Sequence, residues 1–133
     1  MLRAVADTHT VIWYIFGDSR LSSVAQKFIE EAADSGDQIA FSSITLAEMV
    51  YLSEKGRIAP FALSRLLEAI EREDSVLTEV PFDRQIALAL REIPRHQVPD
   101  LPDRIIGATA LHLGLPIITR DRRIQVAGLP AIW

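Results

Sequence analysis

Apolar positions recur along this chain with two spacings, and the spacing decides the element. Short, mostly apolar runs at Leu2 to Ala6 and Leu115 to Thr119 read as strands buried on both faces. Ile39 to Ser42 and Val76 to Val80 add two more, with a short piece near Pro130 to Trp133. Helical spacing runs through Thr10 to Phe16, Val24 to Ala33, Ile44 to Glu54, Phe61 to Glu71, Arg84 to Arg91 and Pro102 to Leu113. Ser22 or Ser23 suits the start of the second helix and Gly36 its end, Gly56 ends the third, and Pro60 suits the start of the fourth. Arg95 to Pro102, with Pro99 and Pro102, reads as a loop. Strands alternating with helices predict an α/β fold with a mostly parallel sheet and helices on both faces.

Size changes this picture little: 133 residues suit one domain, 1–133, with its own core. No apolar run is long enough for a transmembrane helix, and Asp7 and His9 interrupt the apolar start that a signal peptide would need. Without cysteine there is neither disulfide nor thiolate metal site, and a cytoplasmic setting is expected. The net charge of −4 at first opposes a nucleic-acid partner. Four particular carboxylates equal that whole excess, however, so two divalent cations at one site would leave the remainder near neutral.

Those four are Asp7, Glu48, Asp103 and Asp121. Asp7 follows the first strand, and Glu48 lies in the opening turns of the helix after the second. Asp103 opens the helix Pro102 to Leu113, and Asp121 follows the strand ending at Thr119. In a parallel sheet the carboxyl ends of strands and the amino ends of the following helices share one edge, where such folds place their sites. Carboxylates gathered there repel: at about 5 Å and an effective dielectric near 20, each pair costs roughly 3 kcal/mol. Protons or a hard divalent cation would relieve the repulsion.

Each acid alone has a simpler explanation. Asp7 could cap a helix, Glu48 could close a capping box with Thr45, Asp103 suits a helix dipole, and Asp121 suits a turn. Asp100 is a cap or a supporting group, and Thr119 either orients a ligand or finishes its strand. Gly107 and Ala110, below Asp103, would let its helix press close to the sheet. Arg104, Arg120, Arg122 and Arg123 are candidate contacts to a nucleic-acid backbone, set against a merely solvated turn. His9, His96 and His112 lack zinc-ligand spacing, although His9 could approach the site beside Asp7. Trp13, Tyr14 and Phe16 are expected in the core or an interface.

The order and shared edge of the acids are not explained one residue at a time. An Asp after the first strand, a helical Glu, Asp100-Leu101-Pro102-Asp103-Arg104 opening a helix, and Leu115-Pro116-Ile117-Ile118-Thr119-Arg120-Asp121 together resemble the PIN domain. The resemblance covers essentially the whole chain and is nearest to VapC-like toxins of toxin–antitoxin pairs. It implies a PIN-like three-layer α/β/α sandwich and Mg²⁺- or Mn²⁺-dependent cleavage of RNA. It also implies a homodimer, and a cognate antitoxin that inhibits it. It carries over Asp7, Glu48, Asp103 and Asp121 as the acidic quartet, with metal held by Asp7, Asp103 and Asp121. Many relatives carry a Pro-Phe-Asp arrangement where this chain has Leu101-Pro102-Asp103, a departure that leaves both acids in place.

Two rivals remain. A phosphatase of the haloacid-dehalogenase kind would show Asp-x-Asp-x-Thr where this chain has Asp7-Thr8-His9-Thr10. A receiver domain would need a lysine near the last strand, and the only lysines are Lys27 and Lys55 on helical segments. The other alternative is a non-catalytic PIN-like binding module.

Overall fold

The computed structural model describes residues 1–133 apart from the side chains of Gln125 and Val126. Five strands, β1 (Leu2–Ala6), β2 (Gln38–Ser42), β3 (Leu77–Val80), β4 (Ile117–Ile118) and β5 (Ala131–Ile132), form one sheet. All pair in parallel, in the order β3-β2-β1-β4-β5. Seven helices connect them: α1 (Thr8–Phe16), α2 (Ser23–Asp34), α3 (Ile44–Glu54), α4 (Ala62–Ile70), α5 (Arg84–Ala89), α6 (Leu101–Leu113) and α7 (Arg122–Val126).

Period-two alternation splits the core into two apolar layers. Ala4 and Ala6 of β1, Ile39 and Phe41 of β2 and Ile118 of β4 face one layer, filled by α1, α2, α4 and Met49 of α3. Val5, Ala40 and Ile117 face the other, against Ile86, Ile106, Ala108 and Ile124. These residues are almost wholly buried, which is why the strands read as nearly continuous apolar runs. The result is the three-layer α/β/α sandwich with a parallel sheet. The chain winds outward from β1 through β2 to β3, then returns to lay β4 on the other side of β1. The crevice of a doubly wound sheet opens at that reversal, at the carboxyl ends of β1 and β4.

Several boundaries differ from the sequence expectation. The fifth helix stops at Ala89, and Leu90–Glu92 tighten into a 3₁₀ turn. Ile93 precedes Pro94, which disfavours helical geometry there. The Arg104 guanidinium then donates to the carbonyls of Leu90 (2.8 Å), which also accepts the Ile93 N–H, and Ile93 (3.1 Å). Helix α6 begins at Leu101 because Asp100 is its cap, so Asp103 lies in the first turn rather than at the opening. Gly107 packs its bare Cα toward Leu129 and Ile93, not directly onto the sheet. Gly114, at φ +67°, ends α6 by donating its N–H to Ala110 and Leu111 and turns the chain toward β4. β4 is shorter than expected, and α7, too short to show periodicity, was not expected at all.

Candidate active site

Asp7 is held from two sides. Its Oδ1 caps α1 by accepting the Thr10 N–H at 2.9 Å, while Oδ2 accepts the Thr119 hydroxyl at 2.5 Å. That hydroxyl in turn accepts the Asp121 N–H at 2.9 Å, so one oxygen ties the acid after β1 to the turn after β4. Thr10 completes the junction by donating its hydroxyl to the Ile118 carbonyl at 2.9 Å. Capping and site position are therefore compatible roles for Asp7.

Glu48 does not close the capping box with Thr45. Ser43 begins α3 without a side-chain cap, and the Glu48 carboxylate instead accepts the Thr8 hydroxyl from α1 at 2.5 Å. Since Thr8 has one proton and gives it to Glu48, the 3.0 Å contact between Thr8 and Thr45 must run with Thr45 donating. A relay of Thr45, Thr8 and Glu48 thus fixes the α3 carboxylate against α1.

Asp100 caps α6 by accepting the Asp103 N–H at 3.0 Å. Asp103, one turn in, lies beside the others without a hydrogen bond to them. Its carboxyl is pushed up to about 7, first by burial and then by the fields of Asp100, Glu48, Asp121 and Asp7. Burial also raises Glu48, although the Thr8 hydrogen bond opposes it, with Asp100 and Asp7 adding to the rise. Burial pushes Asp121 the same way, but side-chain and backbone hydrogen bonds from Arg123 outweigh it and hold that carboxyl below its usual value. Arg123 grips Asp121 at 3.0 Å and reaches Asp103 at 3.7 Å. The latter contact opposes the rise at Asp103 and is outweighed by burial and four carboxylates.

Asp7, Asp103 and Asp121 line one cleft of about 410 Å³ with Arg120 and Arg123. Glu48 enters the same electrostatic cluster from α3. Among the described residues, no three Asp, Glu or His side chains already stand at the spacing of a metal shell. The acids meet through shared fields and threonine bridges, with Arg123 between two of them. Arg104 turns inward to backbone carbonyls, and neither it nor Arg122 lines the cleft.

Three contributors to the site are not legible in the sequence. Thr8 and Thr45 lie 37 positions apart and meet only through folding. Arg20 reaches the cleft from the loop after α1. The faint signal for the threonines was their place immediately beside a strand–helix junction.

Asp103 sets the sign of a pH effect. Its ordinary value is 3.8 and its folded value about 7, so in between the folded state keeps a proton that the unfolded state has released. Stability then falls as pH rises through that window. The lowered carboxyls of Asp121 and Asp37 act in the opposite sense, in the acid range below 3.8. In metal-free buffer the melting temperature is expected to fall from about pH 5 to about pH 8, and Asp103→Asn to flatten much of that slope. Melting curves across the window check this; an equal slope in the variant would remove Asp103 as its source.

A parallel α/β sandwich with acids gathered at its switch point defines a class before any comparison. The PIN domain model matches residues 4–129, and the chain belongs to the PIN domain family. It is 31% identical over 127 residues to Ribonuclease VapC22 of Mycobacterium tuberculosis, covering 94% of this chain and 92% of that protein. It also matches a toxin–antitoxin complex from Klebsiella pneumoniae with TM-score 0.61 and 28% identity, covering 90% of this chain and 87% of that one. VapBC2 from Rickettsia felis, solved bound to a promoter DNA fragment, shares the fold with TM-score 0.71 at 19% identity, over 98% and 97% of the two chains.

Proposed function

We propose that this chain is a Mg²⁺- or Mn²⁺-dependent endoribonuclease and the toxin of a toxin–antitoxin pair. The observation that carries the reading is the convergence of Asp7, Glu48, Asp103 and Asp121 at the switch point, with Asp103 raised to about 7 by burial first and by its acidic neighbours after it. Such a set is costly without a compensating cation, and carboxylate oxygens are the donors that Mg²⁺ takes. The donor set fits in its chemistry, and to take the ion the carboxylates would close up from their present spacing while Arg123 turns away from Asp121. Asp7, Asp103 and Asp121 would hold the ion, and Glu48 would hold it directly or through water. A divalent cation there would supply an acidified water and positive charge beside the phosphodiester.

The chain's own residues do the rest. Thr119 fixes the Asp7 carboxylate and Thr8 fixes Glu48, so the oxygens are aimed before a substrate arrives. Asp100 sets the first turn of α6 and with it Asp103. RNA would enter with its phosphate toward the acids and its flanking backbone toward Arg120. Water gives up a proton as its oxygen bonds to phosphorus, the bridging P–O bond breaks, and the departing oxygen takes a proton in return.

The ribonuclease name of the mycobacterial relative supports this activity, and the Klebsiella complex supports an antitoxin partner. We infer a homodimer as well, in the cytoplasm where RNA and a co-produced antitoxin meet. Exposed Val50, Tyr51, Phe61 and Leu67 on and beside α3 and α4 give such partners apolar surface to cover. Among the described residues no helix is long and apolar enough to cross a membrane. Chelator-treated protein should leave an RNA mixture intact and cut it when Mg²⁺ or Mn²⁺ is restored. Equal cutting in chelator would overturn the metal dependence, and no cutting with any divalent ion would overturn the enzyme.

A further inference from the structure

One wall of the acidic cleft is cationic and aromatic. Trp13 of α1 is 5% exposed and cannot offer its face to a nucleobase. Its ring is instead covered by two guanidinium groups, Arg120 at 5.0 Å and Arg20 at 5.3 Å from the ring centroid. Trp133 packs against the same indole at 5.8 Å, fixing it from the end of the sheet. Trp13, Arg20 and Arg120 all line the cleft that holds Asp7, Asp103 and Asp121.

The two arginines differ. Arg20 is paired with Asp18 at 2.6 Å, so part of its charge is already answered. Arg120 is exposed and, among the described residues, makes no hydrogen bond or ion pair. It leaves the chain between Thr119, which holds Asp7, and Asp121. Arg120 stands near the acidic cluster yet binds none of its carboxylates, and its guanidinium lies 5.0 Å from the Trp13 ring centroid. Contact with an aromatic ring uses the face of a guanidinium, while its N–H donors lie at the edge and suit phosphate oxygens. Holding the group in advance also lowers the ordering cost of binding.

We propose that Arg120, seated on Trp13, is a subsite for a backbone phosphate flanking the phosphodiester that is cut. It rests on the ribonuclease reading above and adds where the strand lies. The acids repel the substrate's phosphates wherever a cation does not screen them. A fixed cation beside them therefore gives the strand a register, placing one linkage on Arg120 and its neighbour over the acids. Arg104 is turned to carbonyls, and Arg123 grips Asp121 until a cation takes that carboxylate, so neither is placed in advance as Arg120 is.

The test is equilibrium binding of a short fluorescein-labelled oligoribonucleotide to full-length protein in an Asp7→Asn background with Mg²⁺, across a salt series. Arg120→Ala is expected to weaken binding about tenfold, the loss of one charged hydrogen-bonded contact. It should also lower the slope of log affinity against log salt by about 0.7, one phosphate on a single strand. Arg120→Lys should restore the slope but only part of the affinity. Arg57→Ala, removing an exposed cation at the far end of α3, should change neither. A scan placing a neutral methylphosphonate at each linkage should find one position whose loss is not additive with Arg120→Ala. RNA binding that is unchanged in Arg120→Ala, or additive at every linkage, would overturn the subsite alone. No binding even before Arg120 is replaced, together with no cleavage by the unaltered protein, would overturn the ribonuclease reading and the subsite with it.

Discussion

Asp7→Asn is expected to cut RNA at least about 100-fold more slowly than the unaltered protein. Replacing a residue that merely supports a metal ligand typically costs 10- to 100-fold, so losing a ligand charge should cost no less. The substitution is chosen to spare the fold. Asparagine is as good a helix cap as aspartate, so the hydrogen bond to the Thr10 N–H can persist. With its one oxygen on the Thr10 N–H, the amide turns its NH₂ toward Thr119, whose hydroxyl oxygen can accept from it. What disappears is one negative charge from a crowded site, so melting in metal-free buffer should be unchanged or higher. Single-turnover cleavage and a melting curve on the same preparation check both halves. Full activity in the variant would point to a contaminating nuclease, and a large fall in melting temperature would make Asp7 a structural cap first.

The elements legible in the sequence were those whose periodicity follows from burial. α2 and α4 lie within one residue of the bounds their spacing predicts because each turns an apolar stripe to the core, and the β1 and β2 runs are apolar because both faces are covered. The shared edge of the four acids followed from the fold class, because parallel strands bring their carboxyl ends together. What stayed hidden depends on contacts between distant positions or on side-chain direction. Thr8 and Thr45 look like ordinary helix-start residues until folding brings them together beside Glu48. Arg104, adjacent to Asp103, has the charge of a phosphate contact, yet its helix directs it to Leu90 and Ile93. Arg120 and Arg123 are indistinguishable by composition, and only the fold seats one on Trp13 and the other on Asp121.

The same crowding predicts how metal and protons compete. With Asp103 at about 7 it is half protonated near neutrality, and a cation must displace that proton to use the carboxylate. Binding should therefore tighten as pH rises through about 7 and release protons below it, as a change of reaction heat between buffers of different ionisation enthalpy would show. Asp103→Asn removes the charge and the proton together. The most direct measurement is calorimetric titration of Mn²⁺ into chelator-treated protein, unaltered and Asp103→Asn, at about pH 6 and about pH 8. The result expected is saturable binding by the unaltered chain, tighter at the higher pH, and binding at least about tenfold weaker and nearly pH-independent in the variant. Indistinguishable isotherms for the two proteins, or no saturable binding by either, would contradict a single divalent-cation site built from these acids.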